Sequence, residues 1–170
     1  MADASDMVRF RVIGDPMSQG SKTGVLGRDG SVRVLESKGI GRERHRAWRA
    51  EVAWEASRQV GHRGGCFPDG PLECTVWFRL PMPASRSKRD RLRGWLWAYR
   101  GLDIDKLQRS TFDALKDGGL IVDDSRIVYV GAGKVEVPAP EWTGAMISIG
   151  AAADPVGQPW AELETVAAHG

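Results

Sequence analysis

The sequence predicts an α+β domain, a mixed and mostly antiparallel sheet with two main helices packed on it. Two long stretches space their apolar residues as one face of a helix, and several shorter stretches alternate apolar with polar residues. A third observation bounds the size: 170 residues, 42% apolar and 27% charged, suit one soluble globular domain with a sizeable core. That domain is expected over residues 1–150. From 151 to 170 the composition drifts to Ala, Pro, Gly and Glu, and this stretch is expected to be a peripheral tail.

In chain order, Met7 to Ile13 sets Val8, Phe10 and Val12 against Arg9 and Arg11, the period of a half-buried strand. Gly14 to Gly30 is glycine-rich. Its GSKT invites a phosphate-loop reading, but such a loop needs Lys directly after the last Gly, and Ser21 intervenes. A flexible loop is expected there. Val25 to Leu35 reads as a hairpin turning at Arg28-Asp29-Gly30. Arg42 to Val60 is the longest helical stretch, with Trp48, Val52, Ala53 and Ala56 on one stripe. Arg42, Arg46, Arg49 and Arg58 lie around the remainder, either as a solvated face or against DNA. A loop follows, and then Leu72 to Leu80 alternates as a strand that Pro81 and Pro83 close.

The stretch Ala84 to Tyr99 is strongly basic. Arg86, Lys88, Arg89, Arg91 and Arg93 oppose the single acid Asp90, and such a run neutralises phosphates. Trp95, Trp97 and Tyr99 follow at alternate positions. Rings so placed can stack on opened bases, but most tryptophans are largely buried, and these are expected in the core.

Asp103 to Asp124 organises the chemistry. A carboxylate pair, Asp103 and Asp105, precedes a helix whose Ile104, Leu107, Thr111, Ala114 and Leu115 share one stripe. Asp103 fits an N-cap, and Gly118-Gly119 a C-terminal stop. Leu120, Ile121 and Val122 then lead into a second pair, Asp123 and Asp124. A helix buried against a neighbouring strand is expected to bring the two pairs together. Four gathered carboxylates need a cation, and hard oxygen ligands suit magnesium or manganese. Arg109, one helical turn after Asp105, suits either an ion pair with that acid or a fixed charge for a scissile phosphate. Beyond the acids, Arg126 to Val130 and Lys134 to Val137 read as strand with a bulge at Gly131 and Gly133, and Glu141 to Ile149 as a last strand.

Other classes recede. The two cysteines, Cys66 and Cys74, suggest no disulfide framework, and the three histidines have no zinc spacing. No secretory segment or membrane-length apolar run is evident, so the cytoplasm is the expected compartment. No Ser, Cys or His nucleophile arrangement competes. The D-x-D triplet alone also serves metal-nucleotide transferases, and D-D before a strand is often only a turn.

The linked spacing D-x-D-x-L-Q-R, F-D-A-L, a Gly turn and apolar-D-D resembles the RusA family of Holliday junction resolvases. GDPMSQGSK at Gly14 to Lys22 is similar to the amino-terminal motif of many phage members, so the resemblance covers roughly residues 8 to 137. It implies a RusA-like fold and a homodimeric, magnesium-dependent endonuclease that nicks four-way DNA junctions, in recombination and repair. A nearly two-fold junction needs two opposed nicks, which an isologous dimer answers. By the same resemblance Lys134 stands where the family carries a basic residue, and Lys22 gains a DNA-facing role. Members usually have Asn after the second Asp, here Lys106, and Lys four residues after it, here Arg109. The expected mechanism is metal-assisted phosphodiester hydrolysis. Asp103, Asp105 and Asp124 hold one or two ions, Asp123 is a ligand or supports one, and Arg109 and Lys134 offset phosphate charge. A broader flap or fork nuclease, a non-catalytic DNA-binding protein and a D-x-D transferase are the alternatives.

Overall fold

The computed structural model describes residues 7–18, 23–26, 32–35 and 40–153; Lys22 and residues 154–170 of the expected tail lie outside them. Among the described residues, seven strands and three α-helices follow in the order β1 (Val8–Ile13), β2 (Thr23–Leu26), β3 (Val32–Leu35), α1 (Ile40–Arg63), β4 (Leu72–Pro81), α2 (Lys88–Leu92), β5 (Leu96–Trp97), α3 (Ile104–Asp117), β6 (Ile127–Val137) and β7 (Gly144–Ala151). Five strands form the main sheet in the order β1-β7-β4-β6-β5. Only β4 and β6 run parallel; β1 with β7, β7 with β4, and β5 with β6 are antiparallel. The fold is therefore the expected α+β with a mixed, mostly antiparallel sheet. The hairpin of β2 and β3 stands as a separate two-stranded sheet.

Alternation decides the faces. Leu72, Cys74, Val76, Phe78 and Leu80 of β4 are buried, and they point to the side that both long helices cover. There Trp48, Val52 and Ala56 of α1 share one core with Leu107, Ala114 and Leu115 of α3, and with Phe10, Val12, Ala145, Ile147 and Ile149 from the sheet. Close approach of the helices depends on Gly118, where a Cβ would sit 2.4 Å from the Ala53 carbonyl oxygen and 2.7 Å from Ala56 Cβ. Burial also raises the Cys74 thiol to about 12, so this cysteine behaves as a small apolar side chain.

Three expectations change. Trp95, Trp97 and Tyr99 are not core residues: they are 52%, 57% and 68% exposed. Of the three, only Trp97 lies in an edge strand, the two-residue β5. With both helices on one face, Trp97 sits on the sheet's open side beside Trp77. Gly131 and Gly133 make no bulge, since β6 runs unbroken past them and the only irregularity in its pairing with β4 lies at Leu72/Glu73. The glycines instead leave room for the neighbouring side chains of β4. A Cβ on Gly133 would meet the Trp77 ring at 2.5 Å, and one on Gly131 would meet Thr75 at 3.1 Å. Finally, Glu141 and Trp142 belong to a short 3-10 turn, and β7 starts only at Gly144.

Candidate functional site

Helix α3 holds the acids. Its buried side carries Leu107, Ser110, Thr111, Ala114 and Leu115. Thr111 Oγ1 donates to the Leu107 carbonyl at 3.0 Å, and Ser110 Oγ meets His45 Nε2 of α1 at 2.9 Å, so the polar members of the stripe are satisfied. Asp103 takes the extended N-cap backbone, but its carboxylate makes no cap hydrogen bond. It turns instead to Lys106, whose Nζ lies 2.8 Å from Oδ2. Hydrogen bonding from Lys106, then its charge, and the more distant Lys134 hold the Asp103 carboxyl below the usual carboxylate range. The same contact raises Lys106. Asp105 lies in the first turn and is exposed. The partial positive charge at a helix N-terminus favours both acids there.

Lys134 closes this end. It projects from β6 on the side of Phe78, its register partner, and Nζ donates to the Leu102 carbonyl just before Asp103. Arg109 is exposed and makes no ion pair with Asp105 or any other group among the described residues. Of the two roles considered for it, the ion pair is absent.

The second acid pair is elsewhere. Asp123 caps a 3-10 turn at Asp124–Arg126, accepting from Ser125 N at 2.9 Å and from Lys116 Nζ at 3.1 Å. The Ser125 bonds, then Lys116, hold its carboxyl far below the usual range. Asp124 is half-buried beside it. Thus Asp103 sits by Lys106 and Asp123 by Lys116, and these two lysines stand ten residues, about 15 Å of helix, apart on α3. The expected gathering of four carboxylates does not occur within one copy, and no group of three or more His, Cys, Asp or Glu side chains among the described residues could hold a metal. The reason is the chain's path. After Gly118-Gly119 the residues Leu120 and Ile121 are buried at the C-terminal end of α3, with Leu120 N bonded to the Leu115 carbonyl, instead of returning along the helix. As a donor set the Asp103–Asp105 pair does fit magnesium, which is commonly held by one or two carboxylates completed by water and substrate phosphate.

The basic stretch divides. Lys88, Arg89 and Arg93 are exposed on and beside α2, which Ser87 caps by accepting from Asp90 N. Arg91 donates from Nη2 to the Pro83 carbonyl at 2.9 Å. Arg86 is committed inward: its Nε and Nη2 donate to the Glu136 carboxylate at 2.8 and 2.9 Å, and Glu136 is only 5% exposed. Such a fork-to-carboxylate pair is structural, so Arg86 is not available to DNA in the way its neighbours are. On α1, Arg49 pairs with Asp117 and Asp113, and Arg58 with Glu55, whereas Arg42 and Arg46 face solvent. Sequence reasoning missed a groove of about 260 Å³ beside Leu102, whose walls include Arg44, Arg100 and Glu136. Its only trace in the sequence is the isolated acid of β6.

An acid pair on an exposed helix end, with Lys106 and Lys134 beside Asp103 and Arg109 one turn further along the helix, has the layout of a protein that handles a polyanionic backbone. The model of the endodeoxyribonuclease RusA family matches residues 27–146, and the chain belongs to that family. Curated proteins give no match to the chain. The matched span contains both acid pairs, Arg109 and Lys134; Lys22 and β1 lie outside it. The family is one of nucleases that act on branched DNA junctions.

Proposed function

We propose that the protein resolves Holliday junctions by paired, magnesium-dependent nicks in recombination and repair, acting as a homodimer in the cytoplasm. The observation that carries this reading is the Asp103–Asp105 pair at the head of α3, flanked by an unpaired Arg109 and by Lys134, in a chain of this family. The separation of the acid pairs supports the dimer. Asp123 and Asp124 of one copy can join Asp103 and Asp105 only across a two-fold axis, which sets the N-terminal end of one α3 beside the C-terminal end of the other. A candidate junction enzyme needs two such centres in any case.

In this reading Asp103, Asp105 and Asp124 supply the ligand oxygens, with Asp123 a further ligand or a support for its neighbour. Magnesium, when bound, lowers the pKa of water and offsets charge on the leaving oxygen. The chain's own groups do the remainder. Lys106 screens Asp103 until DNA arrives, Arg109 extends one turn along the helix toward a phosphate, and Lys134 fixes the loop before Asp103 through the Leu102 carbonyl. Lys88, Arg89, Arg91 and Arg93 supply phosphate contacts, and Lys22 is proposed as another. Among the described residues no helix is long and apolar enough to cross a membrane. The test is cleavage of a synthetic mobile four-way junction by purified protein, with and without magnesium. Paired nicks that need magnesium support the reading. Nicking confined to forks or flaps would replace junction resolution with a broader nuclease, and binding without nicking would leave a DNA-binding protein.

A further inference from the structure

Because both long helices cover one face of the main sheet, its other face meets solvent, and that face carries an aromatic cluster. Trp77 and Trp97 lie with ring centroids 6.0 Å apart at 35°, and Trp95 stands edge-on to Trp97 at 5.6 Å and 89°. Gly133 belongs to the arrangement, since any Cβ there would collide with the Trp77 ring. The rings therefore lie on the strands with much of their surface in water, Trp77 itself being 44% exposed.

Cations frame the cluster. Arg79 shares a row with Trp97 through Val135, and Arg11 shares one with Trp77 through Met146. Arg93 lines an open groove of about 410 Å³ with Trp95, Leu96 and Trp97, within the size range of small-ligand sites. Nε and Nη2 of Arg79 are buried without an acceptor, and burial together with Arg11 lowers its pKa. By strand alternation, the one carboxylate on this face of the main sheet among the described residues is Glu73. It lies at the far end, opposite Gly150 and Tyr129. Arg11 donates to the Glu141 carbonyl and Arg9 to Ser148 Oγ, so no arginine of this face has a carboxylate partner among the described residues, and the surface is aromatic and cationic.

We propose that this open face is a stacking platform for unpaired DNA bases, whose phosphates are drawn by the guanidinium charges of Arg11, Arg79 and Arg93. It rests on the reading of the chain as an enzyme of branched DNA. Charge selects this occupant over a second copy, because two such faces apposed would set arginines against arginines with only Glu73 at the far end of each to offset them. Position fits as well. Lys134 and Val135 are adjacent on β6 and point to opposite faces, one toward the acid pair and the other beside Trp97. The six residue steps from Trp97 to Asp103 span at most about 20 Å. A strand released at a branch point near the acids would round the short β5 edge and lay its bases on the tryptophans.

The test places 2-aminopurine at an unpaired position of a branched DNA and also measures affinity for a short oligothymidylate against a duplex of equal length. Wild-type protein should quench the probe by stacking. Trp77→Leu/Trp97→Leu should lose roughly tenfold or more in oligothymidylate affinity, with duplex affinity little changed and Trp97→Phe retaining most of the binding. An unquenched probe, equal affinities in the Leu variant and wild type, or a dimer that becomes monomeric in the Leu variant would each overturn the platform. The quenching arm uses wild-type protein, so a variant that folds poorly does not decide the matter. The two readings fail separately. Quenching without any junction nicking removes the nuclease and leaves the platform, whereas full nicking with an unquenched probe does the reverse.

Discussion

Arg109 and Lys106 are neighbours of the same acid pair and play opposite parts. Arg109 has no partner among the described residues, so its charge is available to substrate. Arg109→Ala should cost roughly a hundredfold in single-turnover cleavage of a saturated junction, the typical loss of one transition-state donor. Arg109→Lys should keep most of the rate, because the side chain acts as a charge beside Lys106 and pins no carboxylate. An Ala variant as fast as wild type would move the essential cation to Lys134. Lys106 is engaged at rest, 2.8 Å from Asp103. A cation that enters must displace it from that oxygen. Exposed ion pairs are weak, so Lys106→Asn should lower the half-saturating magnesium concentration only about two- to fivefold. A magnesium titration of the nicking rate measures this, and an unchanged or higher midpoint would show that Lys106 does not compete.

At the scale of elements, the packing of α1 on α3 turns on one residue. Gly118 has ordinary helical backbone angles, so space and not backbone freedom demands glycine there. Gly118→Ala must push the helices apart or shift Ala53 and Ala56, an overpacking that should cost about 1–3 kcal/mol in denaturant unfolding. The neighbouring Gly119, at φ +72°, is the residue that performs the left-handed helix stop. The sequence placed this stop correctly between both glycines, but nothing in it separates a turn glycine from a packing glycine. The same limit explains the tryptophans. Alternation told that Trp95 and Trp97 share a side, but which side the helices cover is a property of the assembled sheet. Arg86, two residues before α2, is turned inward by a partner, Glu136, that lies fifty residues on, and no local pattern announces it. Replacing Arg89, Arg91 and Arg93 by Ala should reduce the slope of log affinity against log salt by roughly one unit per lost phosphate contact. An unchanged slope would set α2 away from DNA.

At the scale of the molecule, the acids were legible one by one and their distance was not. Asp103, Asp105, Asp123 and Asp124 stand out by type and spacing, and the helix between them was clear. The helix, however, keeps its ends apart, so in the proposed reading a second copy completes the centre. This has a specific consequence for mixed dimers. Asp103→Asn and Asp124→Asn should each abolish nicking alone. If every centre combines Asp103 of one chain with Asp124 of the other, a mixed dimer of the two variants holds one intact centre and one doubly deficient. Subunit exchange should then restore about a quarter of the wild-type centres, giving single nicks where the wild type makes paired ones. No recovery on mixing, with exchange verified, would place all four acids of a centre in one chain.

The position of β7 has a bearing on how the protein is born. It lies between β1 and β4, and Val8 of the first strand finds its partner only in Ile149 of the last. Translation adds about 5–20 residues each second, so the amino-terminal strand waits roughly seven to thirty seconds with its hydrogen-bonding edge unclaimed. No shorter nascent chain can complete the sheet. The amino-terminal half must be kept from other strands until β7 has emerged, and a ribosome stalled anywhere before β7 carries an open edge.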